Sequence, residues 1–315
     1  MARETKLSDV SYVCYALPLS TQNNKSRLNF LFYYRGDDFR KEYARLGDVR
    51  SILSATVNVM ALTATATRKL REVICTTLRM RNPTVVSVSP DKPNITLYVS
   101  PFTATNKCFG PIVQQLYTMQ TELGRCIIFC QTLDDCPQLY RYFRMSLRDR
   151  FTYPVGAPDI CGNRLVDMFH SCTEPSIKDK IIEAFTSPSS PLRLVIATVA
   201  FGMGIDIPNI RTIIHFGSCE DVEAYVQAIG RAGRDGQQAN ALLLKRKGKR
   251  HVNKQMEIYC INDTRCRREV LFEDYDHPKC NIQKLCLCCD ICSKVCTCGT
   301  CKSGIPGCID FSYLQ

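Results

Sequence analysis

Gln227-Ala228-Ile229-Gly230-Arg231-Ala232-Gly233-Arg234-Asp235-Gly236 sets two arginines three residues apart among three glycines. Three residues is close to one helical turn, so Arg231 and Arg234 can present their guanidiniums to the same side. Glycine lets a second surface come near the backbone. A guanidinium is a planar, permanently charged fork suited to nucleotide phosphates. The pattern is that of an arginine finger, and it demands a nucleotide pocket from another element. An exposed basic helix end is the plain structural alternative.

Upstream, Leu194–Ile210 reads LVIATVAFGMGIDIPNI, an apolar run passing into a glycine-rich turn. Further back lie Arg125–Thr132, RCIIFCQT, and Ala61–Thr67, ALTATAT. Short apolar runs bounded by polar residues read as buried strands. Strands are expected over 57–62, 85–88, 125–130, 165–169, 192–197, 212–216 and 241–244. Helices are expected over 39–54, 68–80, 134–147, 177–185 and 222–231, the first from Phe39, Tyr43, Leu46, Val49 and Leu53 at spacings of three and four. Alternating strands and helices imply a parallel sheet covered on both faces, an α/β fold. Ser89–Asn94 is a proline-marked connector, and residues 1–33 match no pattern.

A length of 315 residues allows about two domains. The formal charge of +11 fits a polyanionic partner such as nucleic acid, with plain solubility as the competing explanation. The basic run Lys245-Arg-Lys-Gly-Lys-Arg250 is either a solvated loop or a phosphate-contacting segment. No stretch approaches the ~18 apolar residues of a membrane span. The N-terminus lacks the apolar core of a secretion signal. Nucleus or cytoplasm is therefore expected, where thiols stay reduced. The 20 cysteines then read as core residues and metal ligands rather than disulfides, and eleven of them fall from Cys260 onward.

In this order and spacing the motifs resemble the RecQ family of ATP-dependent DNA helicases, from about Asp37 to about Cys292. The resemblance implies a RecA-like parallel sheet with flanking helices (the second helicase lobe), a partial first lobe and a small zinc-binding module. The corresponding spans are 1–33 unassigned, 34–100 remnant of the first lobe, 101–247 second lobe, and 248–315 zinc module with a cysteine-rich tail. It further implies that Arg231 and Arg234 are the fingers and that Gln227 opens their motif, these three forming the catalytic set. Gly204, Asp206 and Gly230 fall on nucleotide-side positions. Thr65, Thr198, Gly202, Phe39 and Arg40 fall on nucleic-acid-side positions. His170 matches a Phe-His pair of the family, although a lone histidine is more often structural.

Four thiolates suit tetrahedral zinc, and a close-spaced set plus one distant ligand closes a loop. Cys286, Cys289 and Cys292 form C-x2-C-x2-C, and Cys266 is the distant partner, with Cys280 and Cys288 as nearby substitutes. A set of unligated thiols is the alternative. Cys296, Cys298, Cys301 and Cys308 offer a second set. The tail has too few apolar positions for a core of its own, and small modules of that kind need a staple.

The sequence contains no G-x-x-x-x-G-K-[ST] loop, since its single Gly-Lys pair, Gly248-Lys249, is followed by Arg250. It contains no Asp-Glu dipeptide for a magnesium box. Zinc is thus the expected cofactor, with ATP and magnesium only where a complete first lobe is supplied. The expected function is the C-terminal half of a RecQ-like 3′–5′ DNA helicase, inactive alone. The alternative is an ATPase-dead DNA-binding or regulatory short form, and a decayed copy is a third class. Single-stranded or forked DNA is the expected partner, together with a protein that completes the first lobe.

Overall fold

The computed structural model describes residues 12–16, 27–31, 46–52, 58–63, 66–198, 201, 207–246, 252–275, 282, 284–299 and 306–314. The chain divides into two compact units, Met1–Asp91 with Phe272–Lys279, and Lys92–Leu271 with Cys280–Gln315. The division falls just before Asn94, earlier than the expected boundary at residue 100. The reason is a strand outside the expected set: Ile95–Pro101 belongs to the larger unit's sheet.

In the smaller unit, strands β1 (Tyr12–Ala16) and β2 (Arg27–Leu31) precede helix α1 (Leu46–Ile52), β3 (Asn58–Thr63), α2 (Arg68–Thr77) and β4 (Thr84–Ser87). The sheet order is β2-β3-β1-β4, with β1 antiparallel to both neighbours and β2 parallel to β3. Two strands thus lie in residues 1–33, where no pattern was legible. Thr67 caps α2, its hydroxyl accepting the Leu70 amide at 3.3 Å. Leu70 and Ile74 face inward from that helix. Val85 and Val86 on the outermost strand β4 are exposed.

The larger unit is built on six parallel strands: β5 (Ile95–Pro101), β6 (Arg125–Cys130), β7 (Val166–Phe169), β8 (Leu194–Thr198), β9 (Ile210–Phe216) and β10 (Ala239–Lys245). Their order is β5-β10-β9-β6-β8-β7. The four central strands are buried almost throughout, which explains why they read as continuous apolar runs rather than alternating ones. Connecting helices are α3 (Thr105–Met119), α4 (Asp135–Leu147), α5 (Pro175–Thr186) and α6 (Val222–Ile229). Phe109, Ile112 and Leu116 of α3 and Leu139, Phe143 and Leu147 of α4 pack on Ile128, Ile196, Ile214 and Leu242 of the sheet. The parallel sheet with flanking helices is the expected α/β, RecA-like architecture.

The tail is not a wholly separate module. Ile309 and Phe311 are buried in the main core, and Tyr313 donates to the Cys108 carbonyl at 2.8 Å. Asn240 donates to the Ile309 carbonyl at 3.0 Å, and the Gly124 amide to the Gly307 carbonyl at 2.9 Å. A Cβ at Gly124 would stand 2.5 Å from that Gly307 oxygen, so the approach needs glycine.

His215 on β9 is 2 % exposed, between Phe129 and Tyr225, and neither ring nitrogen has a hydrogen-bond partner among the described residues. Burial pulls its pKa down from 6.5 to about 3. The unfolded chain therefore takes up the proton first. The stabilisation is complete above pH 6.5 and is lost as the pH falls towards 3. His215→Leu is expected to flatten the fall of stability across that window by up to about 1.4 kcal/mol per pH unit. Urea unfolding at a series of pH values reads this, and parallel curves for the two proteins would contradict it.

Candidate functional site

Helix α6 starts on Asp221, whose carboxylate accepts the Ala224 amide at 2.6 Å, and ends at Ile229 with Gly230 as its cap. The helix therefore stops before the arginines, and the one-turn spacing expected of them does not apply. The chain leaves in successive turns, Arg231 N to Ala228 O at 3.2 Å and Ala232 N to Ile229 O at 3.0 Å. Gly233 then takes a φ of +57° and Gly236 one of +79°. Arg231 is 9 % exposed whereas Arg234 is exposed, so the pair is divided between an inner and an outer position. Gln227 lies half-buried on the last turn of α6.

Asn94, Lys92 and Arg211 each hold this loop. Asn94 Nδ2 donates to Gly233 O at 2.8 Å and to Gln237 O at 2.7 Å. Lys92 Nζ donates to Gly230 O at 2.8 Å. Arg211, nearly buried, forms a two-pronged ion pair with Asp235, which holds that carboxyl below the usual aspartate range. A Cβ on Gly233 would collide with Asn94 Nδ2 and stand 2.8 Å from Gln237 O. Gly233 is thus required twice, for its backbone angle and for this approach. The sequence marked Ser89–Asn94 only as a connector. Nothing in the pattern showed that its last residues grip the arginine loop from 139 positions away.

The same connector is held from its other side by the cysteine segment. Helix α7 (Lys254–Ile261) is followed by the short α8 (Arg267–Leu271) and α9 (Asp290–Ser293). Arg268 donates to Lys92 O at 3.1 Å and to Ile95 O. Arg267 makes a bidentate pair with Asp290, at 2.8 and 2.9 Å. Asp290 also accepts the Val99 amide at 3.3 Å. Leu97 N donates to Cys288 O at 3.2 Å, and Leu97 bridges Cys289 in parallel fashion, so the segment covers the open edge of β5.

Around that bridge Cys266, Cys288, Cys289 and Cys292 bring their sulfurs within 4.8 Å of one another. Cys266 Sγ and Cys288 Sγ are 3.6 Å apart. Four thiolates around zinc at about 2.3 Å would lie about 3.8 Å apart, so the set fits the ion. Cys289 Sγ accepts the Cys292 amide at 3.4 Å, a backbone support suited to a thiolate. Hydrogen bonds from Cys288 and Cys289, with backbone amides behind them, pull the Cys266 thiol well down. Burial pushes Cys292 up to about 12. A bound cation would offset that cost by favouring the thiolate.

Three of the four expected ligands come together, Cys266, Cys289 and Cys292, and the fourth place is taken by Cys288 rather than Cys286. Residues 285–287 form a 3₁₀ turn and Cys289 is extended, with φ −163° and ψ 169°. That break turns Cys286 away, into a second group with Cys296 and Cys298. Cys308, expected in that second set, is buried elsewhere, its Sγ 3.4 Å from Arg211 O. Thr198 is the last residue of β8, at the carboxyl edge of the sheet. Phe39, Arg40, Thr65, Gly202, Gly204, Asp206, Cys280 and Cys301 lie outside the described residues.

Residues 111–236 match the helicase conserved C-terminal domain. The chain is 30% identical over 221 residues to the probable ATP-dependent DNA helicase RecS of Bacillus subtilis, covering 70% of this chain and 40% of that one. It is 30% identical over 277 residues to the ATP-dependent DNA helicase RecQ of Pasteurella multocida, covering 82% and 39%. It is 28% identical to the bifunctional exonuclease/helicase WRN of Mus musculus, covering 87% of this chain and 19% of that protein. The chain thus spans about two fifths or less of these curated relatives. Among solved structures, Saccharomyces cerevisiae Dbp5 superposes with a TM-score of 0.52 at 18% identity, covering 77% of this chain and 55% of that one. Mycobacterium smegmatis Lhr gives 0.51 at 17%, covering 78% and 30%. At those identities the likeness is one of fold, and it agrees with the six-stranded sheet. The matched domain and the named relatives together support a likeness of this chain to the C-terminal part of RecQ-like helicases.

Proposed function

We propose that this chain provides the second RecA-like lobe and zinc module of an ATP-driven 3′–5′ DNA helicase. The observation that carries the reading is the arginine loop, fixed by Lys92 and Asn94 on a connector that the cysteine segment also grips. Arg231 and Arg234 would stabilise charge growing on the transferred phosphoryl, with Gln227, Gly230, Gly204 and Asp206 on the nucleotide side. Thr198 and Gly202, with Thr65, Phe39 and Arg40, would face nucleic acid. ATP and magnesium supply the driving reaction when a complete first lobe is present. A protein completing that lobe is the partner this reading requires, and the nucleus is the matching compartment. Among the described residues no helix is long and apolar enough to cross a membrane.

The sequence has no phosphate-binding loop, and this favours a second reading, a DNA-binding or regulatory form without ATP turnover of its own. Both readings give the purified chain salt-sensitive DNA binding, motivated by the +11 charge. Fluorescence anisotropy on forked and single-stranded DNA is expected to show affinity falling by roughly tenfold or more between about 50 and 200 mM salt. Salt-indifferent binding would contradict it. ATP hydrolysis by the pure chain that disappears in Arg231→Ala would contradict the absence of turnover.

For the metal, Cys266, Cys288, Cys289 and Cys292 are proposed as the zinc ligands. Elemental analysis after dialysis against a mild chelator is expected to find about one retained zinc in the natural chain and in Cys286→Ser, and none in Cys288→Ser. Retention by Cys288→Ser with loss from Cys286→Ser would restore the evenly spaced set.

A further inference from the structure

Cys286, Cys296 and Cys298 form a second group of sulfurs, again within 4.8 Å of one another, that the zinc set does not use. Cys286 Sγ and Cys298 Sγ are 3.5 Å apart. A disulfide would hold them at about 2.05 Å. The separation instead matches the edge of about 3.8 Å for thiolates around zinc.

Each thiol is delivered by a different local device. Cys286 sits in the 3₁₀ turn Leu285–Leu287. Cys296 follows α9, its amide donating to Ser293 O at 3.2 Å. Cys298 precedes Gly299, whose φ of +73° turns the chain back. Apolar packing contributes little to holding these turns among the described residues. Within 284–299 the buried residues are Cys288 and Cys289, while Leu285 is 39% and Val295 69% exposed. A folded stretch without an apolar core needs another staple. Three thiols in mutual contact are weak hydrogen-bond donors, and three thiolates repel one another. A cation removes that repulsion.

We propose that Cys286, Cys296 and Cys298 bind a second thiophilic d10 ion, zinc, distinct from the one held by the four-cysteine set. Each thiol gives up its proton to solvent as its sulfur binds. Cys298 is exposed, so this ion exchanges faster than the first. Together the two ions brace both sides of α9, Cys292 within it serving the first and Cys296 just beyond it the second.

The test is zinc stoichiometry by mass spectrometry on the full chain, purified reduced and without oxygen, before and after a brief mild chelation. The natural chain and a Cys172→Ser control are expected to hold about two ions, falling to about one. Cys286→Ser and Cys298→Ser are expected to hold about one before and after, with unchanged circular dichroism. Cobalt substitution gives a second reading, since each of these two variants is expected to lose part of the thiolate charge-transfer absorption. One ion in the natural chain, two ions in Cys298→Ser, or a Cys286–Cys298 disulfide in protein kept from oxidants would overturn the proposal. Cys298 is exposed, so its replacement tests the site without disturbing the core.

Discussion

One carboxamide ties the end of the arginine loop to the larger sheet. Asn94 Nδ2 is shared between Gly233 O and Gln237 O, and its own backbone carbonyl accepts the Ala239 amide at 2.8 Å. Those contacts tie the end of the arginine motif to the start of β5 and to the start of β10, the strand beside it. Gly233 answers the same constraint, since any side chain there would displace Asn94. The placement of Arg231 and Arg234 thus depends less on helix α6 than on a residue that precedes the whole larger sheet.

The cysteine segment secures the other side of that connector. Arg268 takes two backbone carbonyls, those of Lys92 and Ile95, and Arg267 fixes Asp290, which in turn receives the Val99 amide. Edge strand β5 is therefore closed by β10 on one side and by the Cys288–Asp290 turn on the other. A metal at Cys266, Cys288, Cys289 and Cys292 would clamp α8 to that turn. The module is then a brace for the edge strand and, through Lys92 and Asn94, for the arginine loop.

Much of the larger sheet was legible because its central strands are buried on both faces, so RCIIFC and LVIAT read as unbroken apolar runs. Strand β6 was read to the residue, and β8, β9 and β10 within a few. Strand β5 lies outside the expected set although Ile95, Leu97 and Val99 alternate with Thr96, Tyr98 and Ser100 as a strand should, because it follows directly on the proline-marked connector. The C-terminal contribution of Ile309 and Phe311 was hidden for another reason: two apolar residues in a polar tail become core only when a distant surface receives them. At the cysteine centre the residue types were legible and the grouping was not. Spacing gives the reach of each thiol, but the turn at 285–287 and the extended Cys289 decide which way it points. The arginine motif was likewise visible, while the division between buried Arg231 and exposed Arg234 follows from Gly230 and Gly233, which end the helix early.

The most direct measurement is backbone hydrogen exchange across the larger unit in the natural chain and in Asn94→Ala. The amides of Gly233, Gly236 and Ala239 bond to Ile210 O, Gly233 O and Asn94 O respectively. Losing the carboxamide leaves two carbonyls without that donor, at a cost of about 1–3 kcal/mol. The account predicts that these amides exchange roughly tenfold or more faster while β6, β8 and β9 keep their protection. Unchanged exchange in the loop, or an equal loss across the whole sheet, would contradict the claim that Asn94 is what holds the arginines in place.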